Sequence, residues 1–227
     1  MINQTFQILI PTINRVDLLN SSLEFYLQNF PNTIIRVLDN GNQQILEHDR
    51  IDVLKSTENL GVAGSWNELL SLCFLDSDFG IVLNDDIRLL SNENELLLFC
   101  ENCGKNTFYF YNDENRFQSF LLTKEVFNKV GEFDTVYYPA YYEDDDYFAR
   151  IKMNKISYQS IEQLRYQEIE VSGSIKKDPT LNSNFYRNRE IYLEKWGSKK
   201  NPWSHPYNIE SFDDSDDDIF MDYISKL

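Results

Sequence analysis

The chain has 227 residues, 42% hydrophobic and 26% charged, enough for a sizeable core and outside the range of a wholly disordered polymer. Against 37 Asp and Glu stand only 21 Lys and Arg, a formal charge of -16 that repels nucleic acid and anionic membrane surfaces. No apolar run approaches the roughly 20 residues of a membrane span and no secretory signal opens the sequence, so the expectation is a cytoplasmic protein with free thiols at Cys73, Cys100 and Cys103.

Phe6-Gln-Ile-Leu-Ile-Pro11 reads as a short strand stopped by its proline, and Val16, Leu19, Leu23, Tyr26, Leu27 and Phe30 follow at helical spacing. Thr33–Leu38 reads as a buried strand running into Asp39-Asn40-Gly41. A short polar helix carrying His48, a surface residue, then leads to a third strand, Ile51–Leu54. A helix over about Ala63–Phe74 precedes Phe79–Leu83, a strand with nothing polar before Asn84-Asp85-Asp86. This alternation predicts an α/β fold with a mostly parallel central sheet and helices on both faces. Ligands of such sheets sit beyond the carboxyl ends of the strands, which singles out Thr12 and Asn14, Asp39 and Asn40, and Asn84-Asp85-Asp86.

Beyond about residue 104 the pattern loosens. Thr107–Tyr111 and Phe117–Leu122 read as a strand pair, followed by a helix over Thr123–Val130 closed by Gly131. Another helix begins near Glu143, where Asp144, Asp145 and Asp146 suit the positive end of its dipole. Residues 172–184 read as a mobile loop. Asp213–Asp218 forms an acidic block in a tail, 208–227, whose Ile219, Phe220, Tyr223, Ile224 and Leu227 could dock on the domain or on another protein. Cys100-Glu-Asn-Cys103 lacks a second pair and a nearby histidine, and reads as buried thiols in a helix.

Four segments could carry chemistry, each beside a plainer account. Asn84-Asp85-Asp86 offers the oxygen ligands that hold Mg2+ or Mn2+ together with substrate phosphates, and a solvated turn explains it equally well. In Asn59–Asn67, Gly61 and Gly64 precede a helix and permit close backbone approach to a phosphate or sugar; a simple helix-start loop would look the same. Tyr141–Tyr147 is an acidic cluster among aromatics, where burial and crowding raise carboxyl pKa values as a general base requires, or where helix capping alone is at work. His205, between Trp203 and Tyr207 after Lys195-Trp196-Gly197, reads first as a packed residue.

In chain order, Ile10–Asn14, Val37–Gly41, Asn59–Gly64, Leu83–Asp86, and Gly131–Asp134 leading to Tyr142–Asp144 resemble the GT-A-fold glycosyltransferases of family-2 type, the rhamnosyltransferase-like group, over about residues 6–207. The resemblance implies one domain over 1–207, with a nucleotide-binding half (1–104) and an acceptor half (105–207). It implies an inverting, metal-dependent transfer of a sugar from a UDP- or dTDP-sugar to a hydroxyl of a glycan or glycoconjugate, as in polysaccharide biosynthesis. Asp39 would accept the N3–H of uracil or thymine, with Pro11, Thr12 and Asn14 lining that pocket. Asn59, Gly61, Gly64, Asn67, Asn84 and Asp85 would contact the nucleotide sugar. Asp86 would ligate Mn2+ or Mg2+, with His205 placed to complete the shell. Asp144 would be the base and Glu143 would orient the acceptor. Asn84 stands where the family's D-x-D motif has its first aspartate, which removes one charge from the site. Lys176, Lys177 and Arg187, by charge and position, sit in or beside a loop that could close over the diphosphate.

Two alternatives stand beside this reading. A sugar-1-phosphate nucleotidyltransferase would carry a glycine- and basic-rich loop after the first strand, and Ile10-Pro-Thr-Ile-Asn14 has no glycine. A noncatalytic carbohydrate- or nucleotide-binding domain would keep the fold without the chemistry.

Overall fold

The computed structural model describes residues 5–112, 116–169 and 180–196. At its centre, β1 (Phe6–Thr12) pairs in parallel with β2 (Ile35–Asp39) and β4 (Phe79–Leu83), and β2 with β3 (Ile51–Lys55). The register sets Thr12 opposite Asp39, so the two strands deliver polar residues to one sheet edge. The second half adds β6 (Thr107–Phe110), β7 (Ser119–Thr123) and β8 (Ser157–Ser160), completing a seven-stranded sheet of order β3-β2-β1-β4-β7-β6-β8. Only β7 runs antiparallel to its neighbours. A small second sheet pairs β5 (Ile87–Leu89) with β9 (Tyr166–Glu168).

Period-two alternation divides the core between the two sheet faces. Ile8, Ile10, Ile35, Val37 and Ile81 pack on Leu19, Leu23 and Tyr26 of α1 (Val16–Asn29) and on Leu96 and Cys100 of α3 (Glu93–Asn102). Leu9, Leu38 and Val82 face α2 (Gly61–Asp76), α4 (Lys124–Val130) and α5 (Glu143–Met153). The high aromatic content is concentrated here: Trp66, Phe117, Phe120 and Phe133 interlock, and Phe133 stacks on Tyr147 with centroids 3.8 Å apart. A sixth helix, α6 (Thr180–Trp196), packs Phe185, Tyr192 and Trp196 against Tyr137, Tyr142 and Ala149. No helix among the described residues is long and apolar enough to cross a membrane.

Several elements differ from the sequence expectation. Strand β1 continues through Pro11 to Thr12, because Pro11 stands on the β4 side of β1, where that pairing has already ended at Leu9. No helix joins β2 to β3. There the Asp39 carboxylate accepts from the Gly41 and Gln43 N–H groups, and the Asn20 amide from α1 bonds the Leu46 N–H and the Gln44 carbonyl, so side chains take the backbone groups a helix would use. His48 is exposed, as expected. Helix α2 begins at Gly61, which places Gly64 inside its first turn and not ahead of it. The loop expected over 172–184 is helical from Thr180 onward. Cys100 is buried in α3 as expected and Cys103 caps its end; burial pushes both thiols up, away from the thiolate that metals and redox chemistry need. Helix α3 carries a sequence signal, the reciprocal capping box of Asn92 and Glu95.

Candidate functional site

The carboxyl ends of β1, β2 and β4 meet in one hydrogen-bonded network. Asp39 is fully buried and accepts from the Gly41 N–H at 2.9 Å, the Gln43 N–H at 2.6 Å and the Gln43 side-chain Nε2 at 3.1 Å. The same Nε2 lies 3.4 Å from Thr12 Oγ1, which donates to Asp85 Oδ2 at 2.7 Å. Burial pushes the Asp85 carboxyl up to about 7, with the neighbouring Asp86 adding to it and the Thr12 hydroxyl and buried Arg15 opposing. Thr12 and Asp85, both expected to touch a ligand, are thus bonded to each other and tie β1 to β4. Asn14 is exposed in the left-handed region at φ 54°, beside Gly41, where a Cβ would stand 2.9 Å from Asn14 Oδ1.

Asn84 and Asp86 keep solvent access, whereas Asp85 between them does not. Their backbone is pinned: the Asn84 N–H donates to Gln118 and the Asp86 carbonyl accepts from Ile169. Among the described residues no group of three or more His, Cys, Asp or Glu side chains forms a cage for a metal ion. A single accessible carboxylate, Asp86, fits a cation that takes the rest of its shell from phosphate oxygens and water. His205, Lys176 and Lys177 lie outside the described residues.

The amino end of α2 joins the two halves of the chain. Asn40 reaches from β2 to donate to Ser65 Oγ at 2.8 Å and to accept from the Leu60 N–H at 2.9 Å. Gly61 has φ +69°, and a Cβ there would stand 2.7 Å from the Pro139 carbonyl oxygen. Its N–H donates to Asn59 Oδ1, and the Val62 N–H to the Pro139 carbonyl at 2.7 Å. The glycine therefore serves a close approach of two protein segments, and these two N–H groups are not free for a phosphate. Asn67 also departs from expectation: its amide donates to the Phe133 carbonyl and accepts from the Phe133 N–H, which anchors the Gly131–Asp134 turn.

That turn leads to α5. Tyr141 and Tyr142, directly before Glu143, have φ of 77° and 72°, two successive left-handed residues without a glycine. Such backbone costs about 1–3 kcal/mol per residue and persists only where its surroundings impose it. Glu143 is buried, its Oε2 accepts from no described residue, and burial beside Asp144 and Asp145 raises its carboxyl well above the ordinary range. Asp144 and Asp145 are half-exposed. Asp146 is fully buried and structural, accepting from Trp196 Nε1 at 2.7 Å, Lys195 Nζ at 2.7 Å, Arg150 Nε at 2.8 Å and the Tyr137 hydroxyl at 3.3 Å. Lys195 also pairs with Asp134 at 2.7 Å. Arg187, expected near a diphosphate, instead donates to the Tyr138 carbonyl and to Asn188 Oδ1.

Glu143 gives a pH prediction. The folded chain keeps a proton that the unfolded chain releases above 4.5, so this group's contribution to stability falls as pH rises from there toward its folded pKa. Glu143→Gln removes the titration. The expected result is a higher melting temperature than wild type at pH 8 and a difference that vanishes near pH 4, read by thermal unfolding at the two pH values.

No protein-family model and no curated protein sequence matches the chain. Solved structures do match it in fold. A mannosyltransferase from Pyrobaculum calidifontis, in complex with GDP-Man and Mn2+, superposes with TM-score 0.55 at 13% identity, over 89% of this chain and 72% of that one. GalNAc-T7 with UDP, GalNAc and Mn2+ gives TM-score 0.64 at 13% identity, over 97% of this chain; the match spans 57% of that longer chain. A Drosophila beta-1,4-galactosyltransferase 7 mutant with manganese, UDP-Gal and xylobiose gives 0.50 at 15%, over 74% and 71%. The mixed α/β architecture, with its mostly parallel seven-stranded sheet, is the GT-A fold of these glycosyltransferases.

Proposed function

We propose that the chain is an inverting, rhamnosyltransferase-like sugar transferase of family-2 type that takes a nucleoside-diphosphate sugar, UDP- or dTDP-linked, and delivers the sugar to a hydroxyl of a glycan or glycoconjugate in the cytoplasm. One observation carries the reading: within a GT-A fold, Asp39 and Asp86 stand at the ends of β2 and β4, and a strained tyrosine pair sets Glu143 and Asp144 at the start of α5. Asp39 receives the base N3–H in place of the Gln43 amide, which holds that position here. Asp86 holds Mn2+ or Mg2+, which when bound neutralises charge on the leaving diphosphate; the Mn2+ in the matched structures supports a divalent ion.

Asp144 accepts the proton of the acceptor hydroxyl as that oxygen bonds the anomeric carbon and the bond from carbon to diphosphate oxygen breaks on the opposite face. Glu143, buried and with its carboxyl raised above the ordinary range, orients the acceptor. No covalent intermediate forms, so the anomeric configuration inverts.

Asp39→Ala tests the donor half of the reading. Loss of a buried, charge-assisted hydrogen bond of about 1.5–3 kcal/mol should raise the Kd for UDP roughly tenfold to a hundredfold. Calorimetry with Mn2+ present reads it, and equal affinities would remove Asp39 from the base pocket.

A further inference from the structure

We infer that Asn188 is a positioning residue for the candidate base, fixing through main-chain carbonyls the left-handed Tyr141–Tyr142 turn that begins α5. The inference rests on the reading of Asp144 as base. Two successive tyrosines at φ 77° and 72° are not stable on local grounds, since the left-handed region crowds any Cβ. Something outside the turn must hold them.

That restraint is visible in the carbonyls of residues 137–141, all five of which accept a hydrogen bond. The Pro139 carbonyl takes the Val62 N–H from α2 at 2.7 Å. The other four converge on one atom, Asn188 Nδ2, which is 2.8 Å from the Tyr137 oxygen, 2.7 Å from Ala140, 3.3 Å from Tyr141 and 3.5 Å from Tyr138. A primary amide has two N–H donors; the two short contacts use them directly and the longer ones share them. Asn188 is fully buried, and its Oδ1 accepts from Arg187 Nη1 at 3.1 Å. No apolar side chain of that volume could pair these carbonyls, and aspartate of the same shape has no N–H to offer.

Helix α6 is itself anchored to the segment it clamps. Lys195 pairs with Asp134 and Asp146, Trp196 donates to Asp146, and Tyr142 packs on Phe185 and Tyr192. The clamp and the acidic turn therefore form one rigid unit, while Asp39, Thr12 and Asp86 belong to the sheet edge. Proton transfer requires the base oxygen within hydrogen-bond reach of the acceptor hydroxyl, and a shift of about 1 Å can cost about 10²-fold in rate. Asn188 thus acts directly on the acceptor half of the reaction and touches the sheet edge only at one remove, through the Pro139–Val62 bond to α2.

The test is a split between turnover and donor binding. Asn188→Asp should lower kcat about 100-fold at a temperature where it is folded, with the Kd for UDP in Mn2+ within about threefold of wild type. Asn188→Ser, which keeps one donor, should fall between the two and covers the case where the aspartate variant does not fold. A residue that only stabilises the fold would lower the melting temperature and leave the kcat of the folded protein intact. Folded Asn188 variants with kcat within about threefold of wild type, or with UDP binding lost in step with kcat, overturn the inference. Asp144→Asn assayed alongside separates the two levels: full turnover there means the reading of the base has failed, whereas its loss with normal turnover in Asn188→Asp removes the positioning role alone.

Discussion

Asp144→Asn should lower kcat by about 10²-fold or more while the donor Kd stays near wild type, because a general base contributes about 10²–10⁴-fold and acts only on the acceptor. The four acidic residues that open α5 differ in their surroundings. Asp146 is committed to four donors and burial holds the Glu143 carboxyl well above the ordinary range, whereas Asp144 and Asp145 are half-exposed. The amide of the variant preserves shape and removes basicity, so the fold should be unchanged. If single-turnover measurement finds more than about a tenth of wild-type rate, the base lies elsewhere, and Asp145 is the remaining accessible carboxylate.

Asp146→Ala should be the most destabilising single change in this region. Removing a fully buried carboxylate takes the acceptor from the Trp196 indole N–H and from Arg150 Nε, leaving Arg150 its bond to the Val130 carbonyl, and takes one of two partners from Lys195. Breaking a buried ion pair from one side costs about 3–5 kcal/mol. At about 2–4 °C per kcal/mol for a chain of this size, the melting temperature should drop by roughly 6–20 °C. Asp146→Asn retains an acceptor for Trp196 and should lose less. A drop below about 3 °C in the alanine variant would mean that α6 does not depend on this hub.

The parallel half of the fold was legible in the sequence because β1, β2 and β4 are mostly apolar runs that end at polar residues and helical spacing follows β1 and precedes β4; the helix expected between β2 and β3 was not, since the Asp39 and Asn20 side chains take the backbone groups it would use. The strand-end rule singled out Thr12, Asn14, Asp39, Asn40 and Asn84-Asp85-Asp86, and the structure places Thr12, Asp39 and Asp85 in one hydrogen-bonded network. The second half was less legible for a physical reason: Ser157–Ser160 is polar and exposed along its whole length and becomes a strand only by pairing with β6. Strands β5 and β9 are three residues each and define one another. The partners of Asn67 and Arg187 were not legible, since a polar side chain does not reveal whether it bonds a ligand or a backbone group; the Asn67 partner is 66 residues away. Helix α6 did carry a signal, the burial of Phe185, Asn188, Tyr192 and Trp196 at spacings of three and four, but an asparagine on the buried face obscures the apolar stripe.

The central claim, transfer from a nucleoside-diphosphate sugar, is tested most directly by release of nucleoside diphosphate from a panel of UDP-, dTDP- and GDP-sugars, with Mn2+ and with excess EDTA. The account predicts release from a UDP- or dTDP-sugar in Mn2+, its loss in EDTA, and a thermal shift on binding the same donor. Absence of both release and thermal stabilisation across the panel, with and without Mn2+, would contradict it.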